Sequence, residues 1–184
     1  ENHCFSCHNN GDAARALYVA HRLRYRLPAK ALTTTTQWLR RPLQWDRSPG
    51  EPASSDKRLA RLQFAAALTE AYDAGLVRDR RILLEAAESL LPLQAPDGHW
   101  PLAGGDTLGS PVTYGLPLAT HLARRTLQRA DPARFTEPID RASAWLRAVP
   151  VRSVLDAAAV VLALGPQRPD ARDYLLGAQT VAGG

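Results

Sequence analysis

Two thiols and an imidazole stand together near the amino end, in the run Cys4-Phe5-Ser6-Cys7-His8. Thiols three positions apart can add to the two vinyl groups of a haem while the adjacent imidazole reaches the iron from one face, so the spacing suits covalent haem attachment. The same residues admit other chemistry. A structural zinc site wants four ligands, which requires a distant fourth such as His21 beside Cys4, Cys7 and His8. A Cys4–Cys7 disulfide lacks the strand-then-helix setting of a thioredoxin-type site. A pair of free structural thiols is the plainest alternative, and these are the chain's only cysteines.

The run resembles the haem-attachment site of c-type cytochromes. The resemblance implies haem c as cofactor, thioethers at Cys4 and Cys7, and His8 as the proximal iron ligand, with an acceptor for its second ring nitrogen. It also implies a location outside the cytoplasm, in the periplasm or on the outer face of a bacterial membrane, and electron transfer as the function. With no methionine in the 184 residues, His/Met ligation is excluded within them. His21 lies about 20 Å from His8 along a straight helix, too far to share one iron without a sharp turn between them. His99 and His121 come from other elements and are the candidates for the distal position, beside an open or oxygen-ligated iron. Each also has an ordinary packing role open to it. Arg15 and Arg22, on the first helix with Arg24 and Arg26, are candidates for pairing with the haem propionates. A merely solvated helix face is the alternative.

The elements that must position these groups are helices almost throughout, and the fold class is all-α. Apolar residues recur at helical spacing in Ala14, Leu17, Tyr18, His21 and Tyr25, in Leu59, Leu62, Ala66 and Leu68, and in Ile82, Leu83, Ala86 and Leu90. The pattern predicts eight helices over about 11–26, 29–41, 57–74, 78–92, 112–129, 134–148, 151–164 and 170–178. Breaks are expected where Pro and Gly collect, at 48–52, 95–98, 104–105, 131–132 and 165–166. Thr33 to Thr36 suggest a helix start. The expected organisation is an attachment segment with the first helix over 1–27 and helical repeats over 28–184.

A weak repeat runs through the hairpins: Trp38-Leu39, Leu90-Leu91, Trp145-Leu146 and Tyr174-Leu175 each end a second helix. Two copies continue into a glutamine-containing turn, one from Leu90 to Trp100 and the other from Leu175 to Gly184. Stacked hairpins are implied, none able to bury its apolar face alone. Gln94, Asp97, Gly98 and Trp100, after a helix, resemble the QW motif of the squalene–hopene cyclase and prenyltransferase superfamily. The resemblance implies an α/α toroid, incomplete with four hairpins, in which the glutamine ties the helix end to the turn and the tryptophan stacks beneath. Cyclase chemistry in that superfamily uses an Asp-rich D-x-D-D acid, which this sequence lacks. Its protein prenyltransferases use zinc held by Asp, Cys and His, and no cysteine lies in 57–184.

Composition narrows the rest. Arg and Lys number 23 against 18 acids, for a net charge of +5, and only Lys30 and Lys57 are lysines. No basic block is long enough to mark a nucleic-acid site. The apolar run from Ala157 to Leu164 is less than half of the roughly 20 residues a membrane-spanning helix needs. The missing initiator methionine points to a chain that begins upstream. The leading expectation is an extracytoplasmic c-type haem protein in electron transfer, a subunit or fragment of a larger assembly, whose basic surface docks an acidic redox partner. With no catalytic acid or base to name, an enzyme in its own right is not expected. The alternatives are a haem-free toroid scaffold that covers a partner, and a degenerate lipid-binding relative of the cyclases.

Overall fold

A computed structural model describes residues 11–28, 30–47, 57–102, 115–181 and 183. It is helical, with no strand among the described residues. The helices are α1 (Ala14–Arg22), α2 (Thr33–Leu39), α3 (Lys57–Asp73), α4 (Arg80–Leu90), α5 (Gly115–Ala130), α6 (Thr136–Ala148), α7 (Val154–Leu164) and α8 (Pro169–Ala178). Their ends follow local chemistry. Asp79 caps α4 by accepting from the Arg81 N–H at 3.0 Å, and Ser153 caps α7 by accepting from Asp156 N–H at 3.1 Å. Gly165, at φ +56°, ends α7, and Pro169 opens α8 where a missing N–H costs nothing.

Two of the predicted helices are shorter than expected. The first stops at Arg22, not near 26, because Arg24 adopts φ +63° and the N–H groups of Arg24 and Tyr25 bond back to His21 and Ala20, both at 3.0 Å. This left-handed stop places Tyr25 68 % exposed and leaves His21 exposed, so neither belongs to the buried stripe that Ala14 and Tyr18 form. The second runs only from Thr33 to Leu39, then gives way to a 3-10 turn over Pro42–Arg47, since Pro42 cannot continue the α-helical ladder. Trp45 from that turn packs with Trp38 and Phe64, whose rings meet edge to face at 4.4 Å.

The odd helices lie side by side and parallel. Asp12, just before α1, contacts Gln63 of α3, and Arg22 at its end reaches Glu70 at 3.9 Å. Leu59 and Ala66 of α3 pack with Leu118 and Leu122 of α5, and Thr69 meets Thr126 at 3.0 Å. Arg129 at the far end of α5 bonds Asp73 at 2.7 Å. Gly115 sits against Leu155 and Asp156 of α7, and Arg124 donates to the Ala163 carbonyl at 2.6 Å. The even helices return antiparallel as a second layer: Arg80 at the start of α4 bonds the carbonyl of Ala130 at the end of α5, at 2.6 Å. Three αα-hairpins, α3/α4, α5/α6 and α7/α8, therefore pack side by side, with α1 and α2 laid against α3.

The main core lies between the layers, with Tyr18, Leu62, Leu68, Leu83, Leu90, Trp100 and Leu127 essentially inaccessible. A smaller cluster of Leu146, Val160, Leu164 and Ala171 joins α6, α7 and α8. Every residue from Leu62 to Ala71 is buried, so α3 is enclosed on all sides and its alanines allow the neighbouring helices to approach closely.

Candidate functional site

Cys4, Cys7 and His8 lie outside the described residues. The first described residue, Gly11, is buried against α3. A Cβ on Gly11 would stand 2.8 Å from Gln63 Cβ, so this close approach requires glycine. Asp12 then accepts from Gln63 Nε2 at 2.7 Å and from Arg15 Nη1 at 3.0 Å. Gly11 and Asp12, three and four residues after His8 in the sequence, are thereby held on the middle of α3.

The two propionate candidates have carboxylate partners within the chain. Arg15 pairs with Asp12, and Arg22 approaches Glu70, which is also bonded by Arg125. Arg125 further bonds Asp73 at 3.0 Å. Glu70 is 5 % exposed and offset by these guanidinium groups, since a buried carboxylate without partners is strongly destabilising. These acids went unnoticed in the sequence. The available signal was Gln63 and Glu70, seven apart and hence on one face of a helix otherwise rich in Ala and Leu.

His121 lies in the first half of α5, between Leu118 and Leu122, the residues that pack on Leu59 and Ala66 of α3. Gln63 falls within that same stretch of α3, so the start of α1 and the His121 region of α5 flank one segment. The imidazole has no hydrogen-bond partner among the described residues, and its Nδ1 is fully buried. Burial first, then the Arg124, Arg125 and Arg15 charges, lowers its pKa from 6.5 to about 4. It is neutral near pH 7, the form in which imidazole binds a metal.

His99 is placed differently. Its Nδ1 lies 2.6 Å from Asp97 Oδ1, and its ring stacks on Trp145 of α6 at 5.3 Å. It belongs to the turn that follows α4 and packs on α6, and is already engaged on one nitrogen and one face. His21, the fourth ligand of the zinc alternative, lines a cleft of about 370 Å³ with Thr33, Thr36, Gln37 and Arg40. It stands about 15 Å along the helix from Gly11. Among the described residues no group of three or more His, Cys, Asp or Glu is disposed to hold a metal ion.

The glutamine turn has the internal bonding its residue types suggest, and reaches further. Gln94 Nε2 donates to the Gly98 carbonyl at 3.0 Å and to the Pro138 carbonyl of α6 at 2.9 Å, while Arg141 Nη2 donates to its Oε1 at 2.7 Å. Trp100 Nε1 donates to the Leu90 carbonyl at 2.9 Å. In the second copy, Gln179 Nε2 donates to the Gly183 carbonyl at 3.2 Å. No protein-family model matches the chain, and no curated protein or solved structure is significantly similar to it.

The low pKa of His121 makes stability pH-dependent. Between about pH 6.5 and about pH 4 the unfolded chain binds a proton that the folded chain refuses, so the stabilisation is complete above 6.5 and is lost as pH falls through that window. With no ligand on this imidazole, the expected loss is on the order of 2–3 kcal/mol. Urea unfolding of the wild type and of His121→Gln at the two ends of the window measures it. Equal slopes with pH in both proteins would contradict the assignment.

Proposed function

We propose that the chain is a c-type haem protein that transfers electrons outside the cytoplasm, with haem c bound to Cys4 and Cys7 and with His8 as proximal ligand. The observation that carries the reading is the C-x-x-C-H run itself, placed three residues before the buried anchor at Gly11. When bound, the haem supplies an iron that cycles between two oxidation states. The chain's own residues would hold its surroundings: Gln63, Asp12 and Arg15 fix the start of α1, and the buried helix α3 supplies a rigid floor. The donor set fits the group. Thiols and an imidazole in this order suit a vinyl-bearing iron porphyrin.

The helical part is proposed to be a portion of an α/α-toroid-like array within a larger assembly that includes an acidic redox partner. Parallel odd helices backed by antiparallel even ones, and the bond from glutamine to the glycine carbonyl four residues on in both turns, support this. A haem-free scaffold is the second reading. It is favoured by Tyr174, Leu176 and Leu162, large apolar groups left 40 %, 63 % and 68 % exposed on α7 and α8.

Expression alongside a haem-attachment system, followed by a pyridine haemochrome spectrum of denatured protein, tests the main reading. The wild type is expected to retain one covalent haem through denaturation. A Cys4→Ser/Cys7→Ser double variant should keep its far-ultraviolet circular dichroism and lose covalent loading at least tenfold. Bare wild type, or full loading of the double variant, would refute the proposal and leave the scaffold reading.

A further inference from the structure

We infer that the cleft between the end of α1 and α2 is a binding site for an amphiphilic carboxylate, a molecule with one anionic head and a short aliphatic body. It stands apart from the haem reading, since it uses only residues 18–40 and Leu76. The cleft measures about 370 Å³, within the range of small-ligand sites. Thr33, Thr36, Gln37 and Arg40 border it at spacings of three and four, so one side of α2 and the residue that caps it form a polar wall. Leu27, Pro28 and Leu32 make an apolar end at the start of the helix, where the Ala31 N–H bonds the Pro28 carbonyl at 2.9 Å. Leu32 and Arg40 lie about 12 Å apart along the helix axis. A ligand that uses both needs an apolar body and a polar head held apart. His21 of α1 and Leu76, just after α3, complete the rim.

Charge fixes the sign of the head. From Ala13 to Trp45 the sequence has seven cationic residues and no carboxylate, while the other 16 cations stand against all 18 acids. Elsewhere arginines meet acids, as Arg81 meets Asp79, Arg129 meets Asp73 and Arg134 meets Glu88. Arg40 has no ion pair among the described residues, and neither have Arg24, Arg26 and Arg41. The carboxylate in the field of Arg40 is Asp79, whose two oxygens are held by Arg81 at 3.1 and 2.9 Å. Among the described residues no acid borders the cleft, so its potential favours an anion, and a guanidinium is suited to a carboxylate. Thr36 adds a fixed neighbour. Its Oγ1 lies 2.8 Å from the hydroxyl of the buried Tyr18, and with Tyr18 as donor the threonine hydrogen is left for a ligand oxygen.

Titration calorimetry of the full chain with sodium octanoate is expected to show a single site with a dissociation constant below about 1 mM. Arg40→Gln, which keeps a polar side chain and removes the charge, should weaken binding about tenfold or more. Octylammonium, the same body with a head of opposite sign, should bind about tenfold or more weakly than octanoate in the wild type. Acetate, the head without the body, should not displace octanoate at equal concentration. Leu27→Ala, which shortens the apolar end, should weaken octanoate about threefold. Arg172→Gln, on α8 and away from the cleft, should leave the affinity unchanged.

Octanoate that fails to saturate the wild type, that binds Arg40→Gln as tightly as the wild type, or that is matched by octylammonium would overturn the inference. Acetate binding as tightly as octanoate would overturn it too, because the apolar end would then play no part. Arg40 and Arg172 are both exposed, so their variants should keep the wild-type circular dichroism, and the comparison between them decides the matter even where Leu27→Ala fails to fold.

Discussion

Replacing Trp100 with alanine is expected to cost about 3–5 kcal/mol, enough to bring a domain of this size close to unfolding at room temperature. The indole is wholly inaccessible and is the largest side chain in the core to be so. It also does polar work. Its Nε1 donates to the Leu90 carbonyl at 2.9 Å, where α4 passes into the 3-10 turn Leu91–Leu93. Its backbone N–H donates to Thr120 Oγ1 of α5 at 3.2 Å, so one residue joins the end of α4 to α5. Trp100→Phe retains most of the buried area but removes this hydrogen bond, and should cost about 0.5–1.5 kcal/mol. Urea unfolding followed by circular dichroism measures both. A loss under about 1 kcal/mol in the alanine variant would mean the site collapses without penalty, contrary to close core packing.

The helices were legible in the sequence because period and punctuation agreed. Lys57–Asp73, Thr136–Ala148 and Pro169–Ala178 fall close to the predicted spans, each bounded by turn-forming residues or a cap. The first helix ran short because its stop uses neither glycine nor proline: an arginine at φ +63° carries a position that glycine usually fills. The layers were not legible. Helix α3 is buried all round, so its period names no preferred partner, and the parallel order of α1, α3, α5 and α7 rests on contacts between residues 39 to 57 apart.

The candidate site divides along the same line. The cysteine run is a local pattern that can be read without a structure. That Asp12 and Gln63 meet, that Glu70 and Asp73 are matched by Arg125, and that His121 lacks a partner where His99 has two are facts of packing. Gln94 shows both sides at once. Its bond to Gly98 lies within the motif, whereas its bonds with Pro138 and Arg141 come from the next hairpin and fix how one repeat meets another.

That meeting is isolated by a pair of glycines. Gly98 and Gly183 occupy equivalent places in the two glutamine turns, each four residues after its glutamine, with φ +103° and +84°. Alanine at either position must adopt a backbone that L residues rarely enter, at a cost of about 1–3 kcal/mol. Only Gly98 carries a second penalty. A Cβ there would fall 2.6 Å from the Arg141 carbonyl carbon, and because the obstacle is backbone inside α6, the turn and the helix must part. At Gly183 the nearest atom to such a Cβ is Gln179 Nε2 at 3.9 Å, an ordinary contact. Gly98→Ala is therefore expected to lose about 3–5 kcal/mol, combining strain with overpacking. Gly183→Ala, on an exposed turn able to relax, should lose about 1 kcal/mol or less. The difference in urea unfolding free energy between the two variants measures how tightly the Gln94 turn is seated on α6. Equal losses would show that the turn's own conformation, and not its contact with the neighbouring hairpin, is what requires glycine.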